Sequence, residues 1–132
     1  MNPGLSRYRL WAGIGWLILL AVIVLSLVRV DQPVALEHAD KVLHLLVYGS
    51  LMYWWGMVHA AKLRFWMAAL PLLGLALEWA QMLTAYRSMD WMDAAANLLG
   101  VVLARLLLAT PAKHLLARID RKLADRLDSR GP

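Results

Sequence analysis

Long apolar runs interrupted by short polar clusters dominate the pattern of this chain. A helix rising 1.5 Å per residue needs about 20 apolar residues to cross a hydrocarbon layer of ~30 Å. Three runs meet or approach that length, at Leu10–Val28, Leu43–Ala60 and Phe65–Leu83, and a fourth at Asp93–Ala109 is shorter but bounded by charge. The connections are short, which predicts consecutive helices as antiparallel neighbours in one bundle over residues 1–110, with no room for a second domain. Beyond Thr110 the pattern changes. Thr110 and Pro111 suit the N-cap and first position of a new helix. Leu116, Ile119, Leu123 and Leu127 then recur at helical spacing opposite Lys113, Arg118, Arg121, Lys122 and Arg126. Residues 111–132 therefore read as a basic amphipathic helix on a membrane surface. The expected fold class is an all-α membrane protein, with four transmembrane helices in an antiparallel bundle plus this surface helix.

Composition supports a membrane setting. Hydrophobic residues make up 61% of the 132 positions and charged residues 17%, against about 45–50% and about 25% in soluble domains. The first run follows Arg7 and Arg9 as in a signal peptide, but it exceeds the usual h-region and no clean A-x-A site follows, so an uncleaved helix is expected. Tyr8 and Trp11, and Tyr53, Trp54 and Trp55 at the far end of the second run, read as interfacial aromatics. Pro71 and Gly74 predict a kink in the third helix.

Charge fixes the expected orientation. The N-terminal tail, the Lys62/Arg64 connection and the C-terminal segment concentrate Lys and Arg, whereas Arg29–Val42 is net acidic and Thr84–Met92 has no basic excess. The positive-inside rule then places both termini in the cytoplasm of a multi-pass protein of the bacterial inner membrane. It also accounts for a pI of about 10.0 without nucleic acid, for which no binding motif is present.

That topology gathers the polar residues inside the apolar runs. Asp40, Lys41, His44 and Tyr48 occupy the outer end of the second helix, and Glu78 and Gln81 the outer half of the third. Arg87 and Asp90 lie in the outer loop, and Asp93 and Asn97 at the outer end of the fourth. Intramembrane ionisable groups face protein, water or ligand rather than lipid. An outward-facing polar pocket is the expectation. Ala96, Gly100 and Ala104, at four-residue spacing, would admit a second helix closely, from the same chain or from another copy in a homo-oligomer.

These residues also carry a resemblance. D-K-x-x-H-x-x-x-Y at Asp40–Tyr48, E-x-x-Q at Glu78–Gln81 and R-x-x-D-x-x-D-x-x-x-N-x-x-G at Arg87–Gly100 resemble the VanZ-like family of small membrane proteins, over about Asp40–Ala109. The resemblance implies a multi-helix integral membrane protein in a family whose named member is associated with low-level resistance to the glycopeptide teicoplanin.

Several chemistries fit the pocket. In one, the charged residues form an internal ion network that holds the bundle together. In another, the pocket binds a cell-envelope lipid, lipid-linked precursor or glycopeptide-type ligand, with Lys41 and Arg87 on an anion and Gln81, Asp93 and Asn97 on hydroxyls or amides. In the third, His44 beside Asp40 is a general base and buried Glu78 an acid, with Asp93 as a further candidate, acting on a lipid-linked substrate. The chain has no cysteine, and Ser50 and Ser88 lie in no G-x-S-x-G elbow. A cation held by His44, Glu78 and Asp93 is an alternative, but His38 and His44 form no recognised zinc spacing, so neither metal nor cofactor is expected. Four short helices without inverted repeats argue against a transporter.

Overall fold

In the computed structural model, residues 5–28, 37–83 and 90–129 are described. Those residues are helical or in turns, with no strand among them. Five helices follow in order: α1 (Tyr8–Leu27), α2 (Glu37–Val58), α3 (Leu63–Met82), α4 (Trp91–Leu107) and α5 (Leu115–Asp128). Single 3-10 turns at Ala60–Lys62 and Pro111–His114 lead into α3 and α5.

Local chemistry sets the boundaries. Asp90 caps α4, its side chain accepting from the Met92 backbone N–H at 2.8 Å, and Thr110 caps the next turn by accepting from Ala112 N–H at 3.2 Å, with Pro111 after it. α3 continues through Pro71 in one helix. The expected kink gives no break in the helix, although Pro71 has no N–H for the Met67 carbonyl.

Two helical stretches, Tyr8–Leu27 and Ala60–Met82, are long and apolar enough to cross a membrane, and a third qualifies if α4 and the following segment, bent by 83°, count as one broken span. α2 has the length, with 22 residues. Asp40, Lys41 and His44 near its start dilute its apolar character, and α4 alone has only 17 residues.

α2 is the hub, packing on α1, α3, α4 and α5. Its most extensive contact is with α4, and the two run side by side in the same direction. Lys41 meets Asp93, Gly49 meets Gly100, and Gly56 meets Leu108 in succession. Backbone approaches backbone at Gly100, where a Cβ would strike the Leu45 carbonyl oxygen. Small residues permit such a crossing. Gly100 and Ala104 are thus buried within the chain.

At the other end of α2, aromatic side chains form the core. Trp55 is fully buried and stacks on Trp66, centroids 4.2 Å apart, while Trp16 meets Trp55 edge-on at 5.0 Å. Trp54 Nε1 donates to the Trp11 carbonyl at 3.2 Å and Tyr53 Oη to the Ala112 carbonyl at 2.6 Å. The aromatics expected at an interface therefore also tie α2 to α1 and to the 3-10 turn that leads into α5. The reverse holds outside: Leu17, Leu25, Leu72 and Leu106 are each more than 60% exposed. Apolar side chains face outward while Glu78, Gln81, Asp93 and Asn97 are buried. Water does not favour that inversion, and a lipid environment does.

Candidate functional site between α2 and α4

The parallel contact of α2 with α4 brings their N-terminal turns together, and most of the sequence-predicted polar residues meet there. Asp40, Lys41, His44 and Tyr48 approach from α2, and Asp90, Asp93 and Asn97 from α4. On α2, the i, i+4, i+8 spacing of Asp40, His44 and Tyr48 gives one face. On α4, Asp93 and Asn97 do the same.

Lys41 Nζ donates to Asp90 Oδ2 at 2.5 Å and to Asp93 Oδ1 at 3.4 Å. Asp90 is partly open to solvent, whereas the Asp93 side chain is 3% exposed. The hydrogen bond from Lys41, and then that from the Met92 N–H, holds the Asp90 carboxyl below the usual carboxylate range. The Asp93 oxygens divide their work: Oδ1 faces Lys41, and Oδ2 lies 3.8 Å from His44 Nε2. Asp40 Oδ1 is also 3.8 Å from His44 Nε2. On the opposite edge of the ring, His44 Nδ1 and Asn97 Oδ1 are 3.0 Å apart. An amide oxygen only accepts, so Nδ1 carries the proton in this arrangement, and Nε2 is turned toward two carboxylates.

Tyr48, one turn below His44, lies with its ring parallel to the imidazole, the planes 6° apart. Asn97 is 1% exposed, and its Nδ2 has no hydrogen-bond partner among the described residues. That nitrogen is turned toward α3, where a Cβ at Gly74 would come within 2.6 Å of it and 3.2 Å of Tyr48 Oη. Gly74 thus leaves room beside Asn97 and Tyr48. Glu78, one turn further along α3, is buried.

The other predicted residues fall differently. Gln81 is buried and donates through Nε2 to the Ser26 carbonyl at 2.5 Å, which ties α3 to the end of α1. Arg87 lies outside the described residues. Lys41, expected to hold an anion, is instead engaged by Asp90 and Asp93.

A second polar cluster, at the opposite end of the bundle, escaped the sequence reading. Asp120 of α5 is fully buried. It accepts from the Ser6 N–H at 2.6 Å, Ser6 Oγ at 2.7 Å and Trp11 Nε1 at 2.8 Å, and Arg7 lies 3.8 Å away. Burial works against its ionisation, but the donors from Trp11 and Ser6 prevail and hold its pKa below the ordinary value. Beside this cluster, His59 Nδ1 accepts from Trp66 Nε1 at 3.2 Å, and Nε2 meets Tyr8 Oη at 2.6 Å. Asp120 had one sequence signal, an acid one turn after Leu116 on the apolar side of a basic helix.

No protein-family model, curated protein or solved structure matches the chain.

Proposed function

We propose that this chain is a VanZ-like protein of the bacterial inner membrane. Its α2/α4 polar site engages the headgroup of a cell-envelope amphiphile, a lipid, lipid-linked precursor or glycopeptide-type molecule, in envelope maintenance or glycopeptide resistance. In this reading α1–α4 cross the membrane and both termini lie in the cytoplasm. α5 runs along the inner surface, where Ile119, Leu123 and Leu127 reach the acyl region and Arg118, Arg121, Lys122 and Arg126 meet anionic headgroups. The bend of 83° after α4 suits that turn from spanning to lying flat.

One observation carries the proposal. Titratable and amide groups from two helices converge at one end of a bundle whose outward side chains are apolar, so an amphiphile can lie along the bundle and present its headgroup to them. Asp40, Asp90 and Asp93 accept hydrogen bonds from hydroxyls or amines, and Asn97 Nδ2, which has no partner among the described residues, donates to a ligand oxygen. Native mass spectrometry of the protein extracted gently from its own membrane, beside Asp93→Asn, tests this. A defined lipid or lipid-linked sugar retained by the wild type and lost in the variant is the expected result. Equal retention by both, or none by either, counts against it.

A second reading is favoured by the His44 geometry. A ring nitrogen facing Asp40 and Asp93, with Glu78 buried one turn beyond Gly74, is the equipment of an intramembrane enzyme acting on a lipid-linked substrate. A third takes Lys41, Asp90 and Asp93 as an internal ion network; insertion lost in Asp93→Asn would favour it.

A further inference from the structure

We propose that Asp40, His44 and Asp93 form a binding site for one divalent transition-metal ion of the zinc or manganese class. Asp40 and His44 are one turn apart on α2, which sets both side chains on the same face, and Asp93 reaches the same point from the neighbouring turn of α4. One ligand atom from each of the three lies within 4.8 Å of the others. His44 Nε2 is 3.8 Å from Asp40 Oδ1 and 3.8 Å from Asp93 Oδ2. These gaps are too long for hydrogen bonds. They are within a few tenths of an ångström of the separation, about 3.4 Å, between donors around a tetrahedral ion with bonds of about 2.1 Å.

Two features fit the donor set to a cation. The Nδ1 proton is held by Asn97 Oδ1 at 3.0 Å, which leaves Nε2 as the coordinating atom and fixes the ring, as the outer partners of metal-bound histidines do. Lys41 takes Asp93 Oδ1 and leaves Oδ2 for the ion. The imidazole donor favours zinc or manganese over magnesium or calcium. Three protein ligands leave a coordination position for water or a headgroup oxygen. The site does not depend on which amphiphile is engaged, so its test is separate from retention of a lipid.

Elemental analysis of the full chain, purified in mild detergent without chelator, should find about one such ion per protein. After chelation, adding back Zn²⁺ or Mn²⁺ should raise the melting temperature by several degrees. The rise should fall at least tenfold in apparent affinity in Asp93→Asn and His44→Ala, and persist in Asp90→Asn, which leaves all three donors in place. For a variant that fails to fold, the wild type loaded with Mn²⁺ gives the second readout, a ¹⁴N coupling from one imidazole in pulsed EPR. Absence of bound metal together with no melting shift overturns the proposal. A shift unchanged in His44→Ala, or Mn²⁺ without nitrogen coupling, overturns it too.

Discussion

Gly100 lies directly against the carbonyl oxygen of Leu45, so that a side chain on α4 at this point would collide with the backbone of α2. The contact sets how closely the two helices approach, and with it the reach of Asp93 to Lys41 and of Asn97 to His44. Backbone cannot rotate away as a side chain can. Gly100→Ala should therefore destabilise by about 1–3 kcal/mol, read as a lower melting temperature in detergent. Gly56→Ala should be milder because the atoms nearest its Cβ belong to the movable Leu108 side chain, and Gly13→Ala, with nothing within 4 Å, neutral. Equal effects at all three would show that the crossing does not limit the fold.

Lys41 ties an exposed carboxylate and a buried one. Its bond to Asp90 lies at the partly exposed edge, where such pairs contribute about 0.2–1 kcal/mol. Asp93 is 3% exposed, and removing its cation strands a buried charge. Lys41→Met should thus lower the melting temperature clearly more than Asp90→Asn. The opposite order would mean that Asp93 is neutralised by another group.

Asp120 fastens α5 to the start of α1. Asp120→Ala should cost about 1.5–3 kcal/mol, the range for hydrogen bonds to a charged acceptor, and should make α5 accessible to protease at Arg118, Arg121 and Lys122. The pH dependence has a definite sign. The folded pKa lies below the ordinary value of 3.8, so the unfolded chain binds the proton first as pH falls. The stabilisation is present above pH 3.8 and disappears as pH drops through the lower folded value. Melting curves from pH 7 to pH 3 check this, with the acid loss absent in Asp120→Ala.

His59 should report acid through tryptophan fluorescence. It stacks on Trp55 at 4.9 Å and accepts from Trp66. Burial first, and then the nearby Lys62 charge, lower its pKa from 6.5. Between that value and the lower folded one the unfolded chain binds more protons, so the stabilisation is complete above pH 6.5 and declines as pH falls toward the folded pKa. Protonated Nδ1 can no longer accept from Trp66. A fluorescence change below pH 6.5, removed by His59→Gln, is expected; a flat titration in the wild type would rule it out.

Helicity, the approximate helix positions and most of the polar residues of the site were legible in the sequence alone. Apolar runs of helical length, i to i+4 spacing and a basic amphipathic tail are local properties that persist in any packing. Which helices touch is not local. Tertiary structure set α4 beside α2 in parallel, because Gly49 and Gly100 allow two backbones to meet, and that pairing placed Asp93 against Lys41 and His44. It turned Lys41 toward carboxylates rather than a ligand anion, drew Gln81 to Ser26, and left Asn97 Nδ2 beside the space at Gly74. It also buried Trp55, whose place at the end of an apolar run does not by itself show burial, and Asp120, which pattern alone does not distinguish from a solvated acid. An acid becomes a buried acceptor only where donors distant in sequence converge on it, and three did so here from Ser6 and Trp11.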